Sequence, residues 1–520
     1  MPFLPFGEYL PDQPDFKVLN PTDAGSLGSA TIKNCVPLTA HSYGPMPTFG
    51  NYSSNALTAR CQGSYSLYDA SGGVAIFAGD ATKLYRIAAG AIAFSDVSRS
   101  SGGAYACPAI TAGGFWSMTA FGTRVIAVNG ADAAQTFLLG TDTVFSALAA
   151  AAPVGKYVAV IRDQVFIGNL SAQPYRVHWC ANGDPTSWPT AGTAAAQSVL
   201  SDYQDLQQAD LGRITGIVGG LGAADGAVFC ERGIYSVRFQ GGSTFYAFPV
   251  AQGVAGTRAP MSIVLRRLRS SAGVYSVAYY WSENGVEAFD GASSTPIGAD
   301  KFDRTLYSDL DEAYLPLVQG VADPSRKLIF WAYMGPGSGG LYNRLLVYNW
   351  DLGRAALCEL TANYEWFTRS ILGTGKTLEQ LDTYGTIDTL PASLDDPQWA
   401  GGALTTSAFG TDHKLNTLTG PAMGAVLETA EMQPYPGRRA RALNARPIID
   451  SAAGLVSVGV RERLVDPVVY HAEVPINVLG DCPQRCSGRY VRYRLRLPAG
   501  QSFTHLQGLD VEMIPDSARR

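Results

Sequence analysis

Residues 275–290 read YSVAYYWSENGVEAFD, two runs rich in aromatic and β-branched residues joined by Asn284-Gly285. Such runs are typical of β-strands. Asn-Gly is favoured in a two-residue type I′ turn, because both central residues of that turn require a positive φ. The stretch therefore predicts a β-hairpin.

The same arrangement recurs along the chain at intervals of roughly 40–65 residues, the length of one four-stranded propeller blade. Because each repeat supplies short strands around a common centre, the series predicts a β-propeller of five to seven blades. Two stacked antiparallel β-sandwiches would contain the same hairpins, and they are the alternative fold. The other predicted hairpins are Gly73–Ile87, Arg124–Leu139, Gln164–Trp179, Ala227–Phe239, Lys327–Tyr348 and Ser407–Thr417.

The composition favours a mainly β fold with a large core. Of 520 residues, 46% are apolar and only 16% are charged, and the chain contains 57 Gly, 26 Tyr and 21 Phe. Glycine permits the positive φ of tight turns, and aromatic side chains fit a pleated, half-buried surface. Helical periodicity is nearly absent, and residues 303–314 are the best short candidate for a helix.

Changes in pattern divide the chain into three predicted parts. Residues 1–45 are rich in Pro and predict an extended N-terminal arm that packs on something else. Residues 46–424 form the propeller body, with a polar insertion near 378–402. Residues 425–520 alternate again and predict a separate antiparallel, sandwich-like domain.

The net charge of −5 is distributed unevenly. Residues 438–520 contain 13 Arg, no Lys and 8 acidic residues, a net charge of +5, which leaves −10 for the rest. Arg suits fixed, bidentate contacts with carboxylates, so these side chains are predicted to pair with acids of a neighbouring subunit. An ordinary exposed strand face is the alternative. The candidates are Arg438, Arg439, Arg441, Arg489, Arg492, Arg494 and Arg496; of these, the last three share one strand face.

No motif for catalysis or for a metal stands out, so the sequence predicts no enzyme, no catalytic residue, no metal site and no cofactor. The five histidines lie far from one another and from any nucleophile motif. Cys482 and Cys486 lack a second pair of ligands, so buried thiols are the better interpretation. Residues 373–377 end in GKT without the earlier Gly that a phosphate-binding loop requires.

Two other classes of function stay open. A glycan-binding or glycan-cleaving propeller, active in host adsorption, would need converging carboxylates and exposed aromatic residues. The aspartate-box repeat of sialidase-type propellers is absent from the sequence. A monomeric interaction scaffold would be expected to show regular WD or kelch repeats, which the sequence also lacks.

No apolar run is long enough for a transmembrane helix, and residues 1–9 (MPFLPFGEY) lack the features of a secretory signal. We therefore expect synthesis in a cytoplasm.

Six segments, taken in order, resemble the tail hub or nozzle proteins of short-tailed bacteriophages, also called packaged-DNA stabilisation proteins. The most specific is Tyr175–Trp188, YRVHWCANGDPTSW, in which a strand ending in Trp179 is followed by Asp184, Pro185 and Trp188. The other segments are Asn34–Pro47, Phe77–Tyr85, Gly285–Gly291, Pro296–Asp303 and Leu346–Trp350.

The resemblance implies a structural subunit of the virion tail that forms a ring, as a hexamer or similar, below the portal and the adaptor. Its partners would be copies of itself, the head-to-tail adaptor, tail fibres or spikes, and a tail needle or plug. The arm at 1–45 and the domain at 425–520 would make the ring and adaptor contacts. The ring would retain the packaged genome and let the DNA leave through its channel without sequence recognition. An acidic channel wall would keep phosphate affinity low.

Overall fold

The computed structural model shows a mainly β chain. It describes residues 3–14, 28–29, 31–68, 74–207, 209–242, 245–270, 273–371, 386 and 404–516. Nearly all of the predicted insertion at 378–402 lies outside these residues.

Five four-stranded sheets follow an N-terminal segment of short strands. The N-terminal strands are β1 (Phe3–Pro5), β2 (Ile32–Lys33), β3 (Cys35–Thr39), β4 (Ser42–Pro45) and β5 (Gly50–Asn51). The first sheet contains β6 (Gly63–Tyr68), β7 (Val74–Gly79), β8 (Leu84–Ile87) and β9 (Ser95–Asp96). The second contains β10 (Ser117–Phe121), β11 (Arg124–Val128), β12 (Gln135–Leu138) and β13 (Ser146–Ala147). The third contains β14 (Gly155–Ile161), β15 (Gln164–Leu170), β16 (Arg176–Trp179) and β17 (Asp202–Asp205). The fourth contains β18 (Ile214–Gly219), β19 (Gly226–Cys230), β20 (Ile234–Phe239) and β21 (Tyr246–Ala247), and the fifth β22 (Val264–Ser270), β23 (Gly273–Ser282), β24 (Gly285–Phe289) and β25 (Ser294–Pro296).

The remaining strands and the short helices complete the described fold. The next strands are β26 (Gln319–Asp323), β27 (Leu328–Tyr333), β28 (Tyr342–Asn349), β29 (Arg354–Ile371), β30 (Leu404–Gly410) and β31 (Leu415–Thr417). The C-terminal strands are β32 (Ala425–Glu428), β33 (Ala440–Ile449), β34 (Leu455–Arg461), β35 (Val469–Tyr470), β36 (Val474–Pro475), β37 (Cys482–Gly488), β38 (Tyr490–Leu497) and β39 (Leu506–Pro515). The helices are α1 (Ala194–Ser198) and α2 (Asp303–Asp309), with 3-10 turns η1 (Ile110–Ala112), η2 (Pro260–Ser262) and η3 (Glu312–Leu317).

Every one of the seven predicted hairpins forms, and each supplies the second and third strands of a four-stranded antiparallel unit. In the predicted hairpin at residues 275–290, Trp281 pairs with Val286 and Ser282 with Gly285, which has a φ of 130° at the turn. The predicted helix at 303–314 is shorter, since α2 ends at Asp309 and η3 follows. Successive four-stranded antiparallel sheets of this kind are characteristic of a β-propeller.

The 18-residue strand β29 joins two neighbouring units. Its first part, Arg354–Glu359, pairs with β28, and its second part, Tyr364–Ile371, pairs with β30. Beyond β30 lies β31, and β31 pairs with β5, which comes from before the first sheet. The last repeating unit therefore takes its outer strand from the N-terminal segment.

The N-terminal and C-terminal strands form two sheets around a shared apolar core. One has the order β3-β4-β39-β33-β37, with β1 also paired to β39. The other continues from β29 through β2, β32, β38 and β34 to β35. We call strands β1 to β4 and β32 to β39 the terminal β unit. Strands β1 to β4, which belong to the predicted extended N-terminal arm at 1–45, pair with other strands of this chain.

Arg354, at the start of β29, ties the terminal β unit to the propeller. Its buried guanidinium donates hydrogen bonds to the carbonyls of Gly7 (2.6 Å) and Ala40 (2.7 Å) and to the Tyr43 hydroxyl (2.8 Å). Because a buried charge is costly unless its donors are satisfied, these carbonyls fix the position of the N-terminal segment.

Candidate functional site

The first strands of the repeating units enclose a central cavity of about 440 Å³. Its wall includes one residue or more from each of seven strand segments, represented by Tyr65, Met118, Tyr157, Ile217, Leu265, Val321 and Phe367. This volume is in the range of small-molecule pockets. A volume of this size holds a small molecule and not a segment of duplex DNA.

The wall of the central cavity carries hydroxyl groups and one cation. Arg369 is the charged side chain among its described lining residues, which include no Asp or Glu. Burial, together with the nearby Arg267 guanidinium, lowers the pKa of Arg369. The hydroxyls of Ser64 and Ser66 are buried without a hydrogen-bond partner in the described part of the chain.

A second pocket, of about 350 Å³, adjoins the central cavity at the end where β14 and β18 begin. Tyr157 and Pro260 line both spaces. The cations of this second pocket are Lys156, Arg213 and Arg258, and we call it the basic pocket.

The predicted arginine row on β38 has the expected geometry, because Arg492, Arg494 and Arg496 alternate with buried residues. Their carboxylate partners, however, lie in the same chain. Arg492 Nη2 is 2.7 Å from Glu431 Oε2, Arg494 Nη2 is 2.6 Å from Glu428 Oε1, and Arg496 is paired with Glu473. This row therefore stabilises the terminal β unit, whereas the prediction had these side chains pairing with a neighbouring subunit.

The other predicted contact arginines are exposed. Arg439 is 3.0 Å from Glu462, and Arg489 lies over the ring of Tyr490. Among the residues that the structure describes, no carboxylate lies within 4.0 Å of Arg438 or Arg441. On β33, Arg441 pairs with Ser487 on β37 and with Ile514 on β39, so Arg441, Arg485 and Ile514 share one outward face.

An ordered turn between β36 and β37 presents two apolar side chains to solvent. The Asn477 side chain accepts hydrogen bonds from the backbone N–H groups of Leu479 (2.9 Å) and Asp481 (3.0 Å). Val478 is fully exposed, and Leu479 is 72% exposed. Sequence reasoning missed this apolar tip, although the Asn and Gly on either side were a usable turn signal.

The motif Trp179–Trp188 is a structural turn. The Trp179 indole donates to the carbonyl of Leu200 (2.9 Å), and the Trp188 indole donates to that of Pro185 (2.9 Å). The Asp184 carboxylate accepts hydrogen bonds from the Thr186 backbone (2.9 Å) and hydroxyl (2.6 Å). Both tryptophans are buried, so the motif holds the third sheet together.

His178 is expected to make the protein less stable as the pH falls from about 6.5 to about 4. Burial lowers the pKa of its imidazole to about 4, and Nε2 has no hydrogen-bond partner among the described residues. The unfolded chain takes up this proton near pH 6.5, and the folded chain only near pH 4, so acid favours unfolding.

Urea unfolding at pH 7 and pH 5 tests this. The loss of stability between these pH values should be smaller in His178→Gln than in the unmodified protein, by about 2 kcal/mol. His41→Gln, at an exposed position, should behave like the unmodified protein. Equal losses in all three proteins would contradict the assignment.

Metal chemistry has no evident centre in the described residues. No three His, Cys, Asp or Glu side chains among them form a group that could hold a metal ion. All eight cysteines are buried and unpaired, including Cys482 and Cys486 on β37. Within the described part of the chain, no helix has the length and apolar character that crossing a membrane requires.

Comparisons with known proteins give no family. No protein-family model and no curated protein matches the chain. Similar solved structures include the WD40 propeller domain of Doa1, with a TM-score of 0.29 and 8% identity, covering 60% of this chain and 89% of that one. The N-terminal domain of Nup159 gives 0.30 and 10%, covering 68% and 94%. An exo-β-1,3-galactanase from Phanerochaete chrysosporium gives 0.28 and 9%, covering 90% and 100%. At these scores the likeness says nothing about function.

Proposed function

We propose that this protein is a non-enzymatic structural subunit of a short-tailed bacteriophage tail, forming the nozzle or hub ring below the portal and adaptor. The observation that carries the proposal is the ordered resemblance of six segments, centred on Tyr175–Trp188. The protein would be made in the host cytoplasm and become part of the virion tail. Its ring would bind the adaptor, the fibres or spikes and the plug, and would retain the packaged genome.

We further infer that the propeller has seven blades. Seven first-strand segments line one cavity, and the second part of β29 lies against both β6 and β26. The seventh blade would contain the second part of β29, β30, β31 and β5, which gives it four strands like the others. An outer strand from before the first blade would then close the ring of blades.

The cavity geometry favours a structural role over glycan hydrolysis. Hydrolysis with two carboxylates requires both groups on either side of the scissile bond. The described lining of the central cavity contains no carboxylate. In the basic pocket, the Glu231 carboxylate is paired with Arg213 at 2.6 Å. Because the cavity is also too small for duplex DNA, the DNA channel of the proposed ring would lie between subunits.

Two exposed features of the terminal β unit support ring contacts. The outward face with Arg441, Arg485 and Ile514 contains two positive charges and one apolar side chain. The tip with Val478 and Leu479 is apolar and ordered. The propeller and N-terminal region carry the excess of acid, so a basic face on one subunit can meet an acidic surface on the next. A closed ring uses two different surfaces of each subunit in this way.

Electron microscopy of the purified protein and of its virion tests the proposed function. We expect a ring with six-fold or similar symmetry at the tail vertex. Separate particles at micromolar concentration, with no counterpart in the virion, would overturn the proposal. Hydrolysis of host-surface glycans by the purified protein would instead support the enzymatic alternative.

Reversing the charge of the outward face should abolish ring formation. In Arg441→Glu with Arg485→Glu, like charges would face the acidic surface of the neighbour, which costs several kcal/mol. Mass photometry should show only monomers at concentrations where the unmodified protein forms rings. Both side chains are exposed, so the melting temperature should stay unchanged.

The matched control is Arg162→Glu with Arg232→Glu, the same charge change at two exposed positions on propeller turns. Rings in the control and none in the variant would support this face as the contact. Rings of normal size in both would exclude it. Point variants are preferable to a chain ending near residue 436, because that truncation removes the strands that pair with β1 and β4.

A further inference from the structure

The basic pocket lies where three parts of the propeller meet. Strands β14 and β18 begin at its wall, and the turns η2 and η3 form its other sides. Turn η3 packs against both η1 and η2, so it lies across this end of the central cavity. The pocket is therefore a defined space that several separate segments hold in place.

Positive charge exceeds negative charge in this pocket. Glu231 is its acidic lining residue among those described, and its carboxylate accepts a hydrogen bond from Arg213 Nε at 2.6 Å. No carboxylate of the described chain lies within 4.0 Å of Lys156 or Arg258. Lys156 Nζ instead lies 5.3 Å from the centre of the Phe115 ring. Two cations thus share the pocket without an anion.

We propose that the basic pocket binds a small organic anion, whose phosphate or carboxylate group lies between the Lys156 ammonium and the Arg258 guanidinium. Charge-assisted hydrogen bonds from Lys and Arg are the usual means of holding such groups. The volume of about 350 Å³ is near the lower end for ligand pockets, which selects a small molecule over a polymer. Tyr157, Pro260 and Tyr314 supply apolar surface for the body of the ligand.

Glycine at position 113 keeps the space beside the ammonium open. Gly113 has a φ of 75°, and a Cβ atom built there would lie 3.3 Å from Lys156 Nζ. Burial, with a further contribution from the Arg213 guanidinium, lowers the pKa of Lys156. A bound anion would favour the charged form of Lys156 and so raise its pKa again. The proposal concerns the propeller alone and does not depend on ring formation.

Isothermal titration of the full-length protein with sodium phosphate and, separately, with sodium benzoate tests the site, using sodium chloride at equal ionic strength as the reference. We expect saturable binding of at least one of the two, and the stronger one identifies the acidic group. Lys156→Gln and Arg258→Gln should each weaken that binding about tenfold.

Arg326→Gln is the matched control, since it removes one exposed Arg from a distant turn. It should bind like the unmodified protein, and thermal melts should show that every variant is folded. Binding no stronger than that of chloride, or equal binding in the Lys156, Arg258 and Arg326 variants, would overturn the proposal.

Discussion

Replacing Glu431 with Ala is expected to lower the free energy of unfolding by about 3–5 kcal/mol, the usual cost of breaking a buried ion pair by removing one partner. The Glu431 side chain is 2% exposed. Its Oε1 is 2.7 Å from Arg461 Nε, and its Oε2 is 2.7 Å from Arg492 Nη2. Without this carboxylate, two guanidiniums in the terminal β unit lose their shared anion.

Chemical denaturation measures the effect, and Glu473→Ala is its control. Glu473 is paired with Arg496 on the same strand as Arg492, but the two side chains are 34% and 44% exposed. Exposed pairs contribute about 0–1 kcal/mol. A large loss in Glu431→Ala beside a small one in Glu473→Ala would establish the buried network as structural; equal losses would contradict it.

Replacing Trp179 with Ala is expected to cost about 3–5 kcal/mol of stability, as large-to-small changes of a buried aromatic side chain do. The Trp179 ring stacks on Phe166 at 5.4 Å and meets Tyr246 edge-on at 5.4 Å. Its indole N–H also satisfies the Leu200 carbonyl. The substitution would leave a cavity in the third sheet and remove a donor from that carbonyl.

Trp188→Phe separates the loss of a hydrogen bond from the loss of packing. It removes the indole donor to Pro185 and keeps an aromatic ring, so the expected cost is about 1 kcal/mol. Urea unfolding followed by circular dichroism compares the two variants. If Trp179→Ala were no more destabilising than Trp188→Phe, the central role of Trp179 in the third sheet would be refuted.

The hairpins were predictable because their signals are local. Asn284-Gly285 marks the place of a turn, and the runs on either side indicate the strands, without reference to distant residues. The predicted type I′ turn was wrong, because Glu283 and Asn284 lie between the paired residues Ser282 and Gly285, and Asn284 does not have a positive φ. Strand β37 has no such local signal, since CPQRCSG shows neither apolar alternation nor aromatic residues. The pairing of β5 with β31 was also not foreseeable, because two residues at 50–51 carry too little pattern to name a partner near residue 416.

For the candidate sites, the alternation of side chains along a strand correctly predicted that Arg492, Arg494 and Arg496 share one face. It could not show that Glu428 and Glu431, over sixty residues earlier, lie on that face as well. The basic pocket was likewise invisible in the sequence. Lys156 and Arg258 come from different parts of the chain, and no motif links residues that only the closed fold brings together.

The pairing of Phe3 with Asp510 has a consequence for synthesis. At about 5–20 residues per second, a ribosome needs about 25–100 s to travel from one to the other. The four-stranded sheets of the propeller have mostly local contacts and can form as they emerge. Strand β1 cannot form this pairing until β39 has been synthesised. The terminal β unit can therefore form only after β39 has been synthesised, and the exposed face with Arg441, Arg485 and Ile514 forms at that point.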